Sequence, residues 1–217
     1  MSEVKNKRIA KFREADLYLV ITKEFTAGRG TLRVLEEAAD AGIRLVQLRE
    51  KSITKKELFH LAEQFRKICD RYDITMIMND HIDIALLTGA DGVHIGQDDL
   101  PLEQAVRLAP DLIIGRSTHS REQALEAEAQ GAAYLNLGPV YPTQTKNTPV
   151  HPLGLEIIKE TGPLLKIPFT VMGGIKEHHI PELLATGARY IAMVTEITQA
   201  PDIDKRVKQL RSYWGRN

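Results

Sequence analysis

Four stretches of the chain are written in one grammar, and that repetition restricts the fold more than any other feature. DAGIRLVQLRE, TGADGVHIG, QGAAYLNLG and TGARYIAMV each close a helical pattern with small residues and glycine, then pass at once into a short apolar run. The anchoring glycines, Gly42, Gly89, Gly131 and Gly187, are 47, 42 and 56 residues apart. Each suits the left-handed position just beyond a helix C-terminus. This is an internal repeat, and it leaves room between copies for one more strand and helix. Strands are predicted there at TMIMN (75–79), LIIG (112–115) and PFTVM (168–172), with LYLVIT (17–22) as the first of the series.

Short runs that are apolar on both faces and alternate with helical patterns point to a parallel sheet covered by helices. Thr54 with Glu57, and Ser120 with Gln123, have capping-box spacing and mark two helix starts. A last helix over roughly 201–214 carries Ile203, Val207, Leu210 and Trp214 on one stripe, the pattern of ordinary packing. Eight units of about 27 residues use the whole 217-residue chain, whereas an open doubly wound sheet needs fewer strands and a switch in strand order. The expected fold is α/β, a single-domain (β/α)8 TIM barrel over 1–217 with a short N-terminal extension at about 1–15.

Composition narrows the partners. Lys+Arg and Asp+Glu are both 29, so no long-range field of one sign draws the chain to nucleic acid or an anionic membrane. Phosphate chemistry must then be local. The single Cys69 excludes an internal disulfide framework and a thiolate metal cluster. The opening MSEVKNKRIAKFREAD alternates charged with apolar side chains and contains neither a signal-peptide stretch nor a membrane span. A cytoplasmic location is expected, with small-molecule partners, no nucleic acid and no membrane; a homo-oligomer is compatible with the sequence.

In barrels of this kind function collects on the loops after the strand C-termini. After the second strand, QLREK places Gln47, Arg49 and Lys51 at alternate positions, hence on one face; the bland alternative pairs Arg49 with Glu50 at the rim. Asn79 and Asp80 follow the third strand, and GQDDLP, with Asp98 and Asp99, follows the fourth. Asp80 and Asp99 are each explicable as an N-cap or turn residue. Together, beside cationic side chains, two such carboxylates can hold Mg2+, which completes its shell with water and phosphate oxygens.

The sixth strand leads into GPVYPTQTKNTPVHP, an irregular stretch from Gly138 to Pro152 with four prolines. Loops this long tend to be functional. Thr143, Thr145 and Lys146 offer two hydroxyls and a cation for a phosphate, while the prolines alone would merely fix a backbone path. Gly173 and Gly174 follow the seventh strand, Val194 and Thr195 the eighth, at the two places where barrels often bind phosphate through backbone N–H groups. His60, His178 and His179 fall in helical stretches and are expected to be solvated. His94 alternates with apolar neighbours and reads as a satisfied core residue; His119, in STHS, sits at the active rim. No spacing fits a zinc site, a Ser/His/Asp triad, a Walker loop or a dinucleotide fingerprint.

Taken in order, QLREK, Asn79 with Asp80, GADGVHIGQDDLP, STHS, GPVYPTQTK and GGI resemble the thiamine phosphate synthase family from the first strand to the eighth. The resemblance implies a Mg2+-dependent enzyme that joins hydroxymethylpyrimidine diphosphate to thiazole phosphate, giving thiamine phosphate and pyrophosphate. It implies that Gln47, Arg49, Lys51 and Asn79 hold the pyrimidine diphosphate, with Lys146 also on its phosphates, and that Asp80 and Asp99 bind the metal. It implies that Ser117 meets the pyrimidine end and that Thr143 and Thr145 meet the thiazole substrate, whose phosphate lies on the backbone of Gly174, Val194 and Thr195. Lys51, Arg49, Lys146 and Ser117 would be the catalytic set.

The family's mechanism is dissociative: pyrophosphate departs first, the pyrimidine stabilises the methylene cation, and the thiazole nitrogen captures it. No protein nucleophile is needed. Two positions depart from the pattern: Arg116 stands where a small residue usually precedes the serine, and VTEI (194–197) stands where serine and alanine are commoner. The competing readings are a thiazole tautomerase of the same superfamily working through His119, a non-catalytic regulator that binds a thiamine precursor, and a generic phosphate-binding barrel isomerase.

Overall fold

Eight parallel strands close into a barrel in chain order in the computed structural model, which describes residues 2–143 and 151–215. The strands are β1 (Leu17–Ile21), β2 (Leu45–Leu48), β3 (Thr75–Asn79), β4 (Gly92–Ile95), β5 (Ile113–Thr118), β6 (Tyr134–Leu137), β7 (Phe169–Val171) and β8 (Tyr190–Met193). The helices begin with α1 (Glu3–Phe12), α2 (Thr31–Asp40), α3 (Lys55–Arg71), α4 (Ile82–Thr88), α5 (Leu102–Leu108) and α6 (Arg121–Ala129). They continue with α7 (Glu156–Thr161), α8 (Ile180–Ala185), α9 (Thr195–Thr198) and α10 (Ile203–Arg211).

The four repeat glycines all have positive φ, between 67° and 94°, so the grammar read from the sequence is a run of helix ends turning into strands. Thr54 and Glu57 form a full capping box. Ser120 makes only half of one: its hydroxyl accepts from Gln123 N, but Gln123 Oε1 accepts from His119 N instead of the cap. β5 extends to Thr118, beyond the predicted LIIG, because Ser117 and Thr118 stay paired with Asn136 and Leu137.

Two apolar layers hold the barrel. The larger lies between strands and helices, built from side chains such as Val34, Leu58, Phe65 and Ile180. The smaller fills the N-terminal part of the barrel interior with Tyr18, Leu45, Ile77, Ile113, Tyr134 and Tyr190. Residues 3–12, read as part of an extension, are a helix that closes this layer from below. Phe12 is 2% exposed and packs at a tilt against Tyr134 and Tyr190, with centroids 4.6 and 5.4 Å apart. Arg8 Nη1 donates to the Asp111 carbonyl just ahead of β5 at 2.9 Å.

The seam between β8 and β1 is tied by the last helix. Asp16 Oδ2 accepts from Arg211 Nε at 2.9 Å while its Oδ1 accepts from Leu17 N at 2.6 Å. Gly42 lets the guanidinium pass, since a Cβ there would lie 2.3 Å from Arg211 Nη1. On α10 the predicted stripe is buried at Ile203, Val207 and Leu210, and Trp214 packs against it.

If α1 belongs to the core, Phe12→Ala must cost what a buried aromatic costs, about 3–5 kcal/mol. A denaturant titration should show that loss as a lower midpoint at unchanged slope; a change under 1 kcal/mol would make α1 an appendage.

Candidate active site

The upper half of the barrel interior is polar where the lower half is aromatic, and the switch follows the strand register. Val20 is opposite Gln47, Asn79 opposite His94, and Ser117 opposite Asn136. These side chains floor a cavity of about 580 Å³ at the C-terminal end of the barrel, a size suited to small-molecule ligands. Its walls come from the loops that follow the strands: Arg49 after β2, His119 after β5, Pro142 and Thr143 after β6, Gly173 to Lys176 after β7, and Val194 to Glu196 after β8.

Eight of the residues expected at the site line this one cavity: Gln47, Arg49, Asn79, Ser117, Thr143, Gly174, Val194 and Thr195. Gln47 and Asn79 are 2% and 8% exposed, so their amides face the cavity from within the packed barrel. Arg49 forms no ion pair with Glu50. Glu50 is buried and accepts instead from Lys23 N at 2.8 Å and from the Thr31 hydroxyl at 3.0 Å, which leaves the Arg49 guanidinium among the cavity-lining groups.

Gly174 has φ +62°, and a Cβ there would sit 2.2 Å from the Pro142 carbonyl oxygen. Glycine is what lets the chain after β6 cross the chain after β7. Thr145 and Lys146 lie outside the described residues.

Lys51, Asp80 and Asp99 form a second cluster beside the cavity, not among its lining groups. Lys51 Nζ is 2.8 Å from Asp80 Oδ2, and Asp80 and Asp99 are close enough to shift one another's titration. Neither aspartate is a helix cap. α4 is capped by His81 and α5 by Pro101, both without a side-chain bond. Asp80 sits at φ +60°, a conformation uncommon outside glycine that Asp and Asn tolerate. Asp99 Oδ2 accepts from Gly96 N at 2.7 Å and closes a turn.

The electrostatics of the pair are asymmetric. Burial pushes Asp80 up, but the bond and charge of Lys51 prevail and hold it below the usual carboxylate range. Burial raises Asp99, and the neighbouring Asp80 charge raises it further against the Gly96 N–H. Two oxygen-donor carboxylates in mutual repulsion favour a cation.

Arg116 stays out of the cavity. Its Nη1 donates to the Gly96 carbonyl at 2.6 Å and its Nη2 to Gln97 O at 3.4 Å, so it braces the loop that carries Asp99. His119 lines the cavity, with Nδ1 2.5 Å from the Gly138 carbonyl oxygen. His179 is half-buried, with one ring face stacked on Tyr141 at 3.8 Å. Burial pushes the Cys69 thiol up to about 12, far from nucleophilic range.

Sequence reading gave no site role to Lys176, Glu196, Asn136 or His94, all of which line the cavity. Lys176 Nζ pairs with Glu196 Oε2 at 3.0 Å, and Arg206 holds both Glu196 and Glu177. Against the cost of burial, Lys176 and Arg206 keep the Glu196 carboxyl below its ordinary range. Asn136 was legible in principle: it stands two residues beyond Tyr134 in a strand, hence on the same inward face.

The thiamine monophosphate synthase family model matches residues 17–197. A thiamine-phosphate synthase from Dictyoglomus thermophilum is 41% identical over 207 residues, 95% of this chain and 93% of its own. One from Shouchella clausii is 45% identical over 188 residues, 86% of this chain and 90% of its own. The solved thiamine phosphate pyrophosphorylase from Pyrococcus furiosus superposes with a TM-score of 0.85 at 34% identity, covering 92% of this chain and 95% of that one. By the family model and by these relatives, the chain belongs to the thiamine monophosphate synthase family.

Proposed function

We propose that the chain joins hydroxymethylpyrimidine diphosphate to thiazole phosphate, forming thiamine phosphate and releasing pyrophosphate. The observation that carries the reading is one cavity in which Gln47, Arg49, Asn79 and Ser117 meet Thr143, Gly174, Val194 and Thr195, beside a Lys51–Asp80–Asp99 cluster. Gln47, Asn79 and Ser117 hold the pyrimidine end. Arg49, Lys51 and Lys146 grip the diphosphate. Thr143 and Thr145 meet the thiazole, and its phosphate rests on the backbone of Gly174, Val194 and Thr195.

Asp80 and Asp99 supply hard oxygen donors that fit Mg2+, and their repulsion is what such a cation would relieve. When bound, Mg2+ would offset the charge that pyrophosphate gathers on leaving. Arg49 and Lys51 do the same from the protein side, stabilising the departing group more than the bound substrate. The methylene cation needs no protein nucleophile, in keeping with a cysteine held as the thiol.

The direct test mixes the purified chain with pyrimidine diphosphate, thiazole phosphate and Mg2+. Thiamine phosphate and pyrophosphate should form, EDTA should stop the reaction, and added Mg2+ should restore it. Thiazole isomerisation alone would make the chain a tautomerase, and an undiminished rate without metal would remove the Mg2+ assignment.

Asp80→Asn and Asp99→Asn should fold normally, since Asn also tolerates φ +60° and can close the turn. Each should require more Mg2+ and turn over roughly a hundredfold slower, with the double variant losing less than the product of the two, because both serve one ion. Wild-type Mg2+ dependence in both would return these residues to a structural role. Gly174→Val should raise KM for thiazole phosphate more than for the pyrimidine substrate, because its side chain displaces the Pro142 carbonyl beside Thr143. Equal KM changes would disprove the separation of the two phosphate sites.

A further inference from the structure

Beneath the cavity floor a chain of hydrogen bonds crosses the barrel interior and joins two cavity residues on different strands. Gln47 Nε2 donates to Tyr18 Oη at 2.6 Å. Tyr18 Oη is 3.0 Å from Tyr134 Oη, and Tyr134 Oη is 3.0 Å from His94 Nδ1. His94 Nε2 is 2.9 Å from Ser117 Oγ. Both tyrosines are 1% exposed and His94 is 7% exposed, so solvent has little part in the chain.

The path exists because of a missing side chain. His94, Gly115 and Tyr134 are register partners on β4, β5 and β6. A Cβ on Gly115 would fall 2.1 Å from Tyr134 Cζ and 2.5 Å from its Oη. Glycine at 115 therefore lets the phenol lie across β5 and reach the imidazole two strands from its own.

Proton counting gives the chain a direction. Burial drives the pKa of both phenols upward, so each carries one proton at neutral pH. Tyr18 Oη has two neighbours, Gln47 Nε2 and Tyr134 Oη. The first is a donor, so the Tyr18 proton goes to Tyr134. The Tyr134 proton then goes to His94 Nδ1, which must present a lone pair. His94 is left as the neutral tautomer with its proton on Nε2, donating to Ser117 Oγ. Beside its second Nε2 hydrogen, Gln47 then turns the acceptor Oε1 to the cavity, and Ser117 turns its hydroxyl proton there as a donor.

We propose that Tyr18, Tyr134 and His94 are positioning residues that fix the hydrogen-bond polarity of Gln47 and Ser117, selecting a heteroaromatic ring with one N–H donor and one unprotonated ring nitrogen. The proposal rests on the reading that this end of the cavity holds the pyrimidine diphosphate. A purely packing role for the same residues would require their volume but not their protons.

The test combines a ligand-free and a kinetic measurement on the full chain. In long-range 1H–15N spectra of the protein without substrate, His94, assigned by its loss in His94→Leu, should show the Nε2–H tautomer. In Tyr134→Phe, which keeps the ring on Phe12 but removes the hydroxyl, that signal should move toward a mixture of tautomers. The same variant should raise KM for the pyrimidine diphosphate about tenfold, the effect of one or two lost buried bonds, and leave KM for the thiazole phosphate within twofold.

An Nδ1–H tautomer in the wild type would overturn the proposal, as would an unchanged tautomer and pyrimidine KM in Tyr134→Phe, or equal rises in both KM values. If Tyr134→Phe does not fold, Tyr18→Phe takes its place with the same expectations. If the wild type makes no thiamine phosphate, the functional reading fails, while the ligand-free spectra still decide the relay.

Discussion

Eight strands enclose a space that must be filled, and the way this barrel fills it determines where everything else can go. Two tyrosines meet at the centre with hydroxyls 3.0 Å apart, supported from below by Phe12. Aromatic side chains are large enough to close the interior from a few positions, and their polar tips can point to the wetter end. The top of the core is thus also the floor of the cavity. Leucines in their place would fill the volume but leave Gln47 and His94 without the partners they have here.

Above that floor the site is electrically divided. On one side Lys51 stands against the Asp80–Asp99 pair. On the other, Lys176, Glu196, Arg206 and Glu177 form a linked set of opposite charges. The chain has no net charge, so these arrangements act over a few ångströms. Their orientation depends on the rigid strand ends and on braces such as Arg116, which spends its guanidinium on the Gly96 and Gln97 carbonyls.

Much of this was legible from the sequence because it is local. A glycine after a helix, a short apolar run and a polar residue at its end are read within ten residues, and the strand ends that carry Gln47, Asn79 and Ser117 followed from that pattern. What the sequence leaves hidden depends on pairs far apart in the chain. His94 reads as a core residue, and it is buried; only the β4–β5–β6 register and the bare Gly115 reveal that it joins Tyr134 to Ser117. Asp80 and Asp99 were legible as a pair of carboxylates from adjacent loops beside a cation, but not as a cluster set outside the cavity lining. The helix at 3–12 was hidden by its weak apolar stripe, since its one large buried aromatic, Phe12, comes at the very end.

The tie between Asp16 and Arg211 has a consequence for the fate of the chain outside its folded state. A closed barrel protects every strand because none is an edge, and here β8 is joined to β1 across Leu17 and Ile191. The clasp over that junction comes from α10, whose Ile203, Val207 and Leu210 are buried beside it. Removing it would strip Asp16 of its guanidinium and uncover the apolar seam beside it. β1 and β8 could then part, each presenting an unpaired apolar strand to any other molecule in the same condition. The Asp16–Arg211 tie therefore helps keep two apolar strands from becoming edges, a duty separate from the chemistry at the opposite rim.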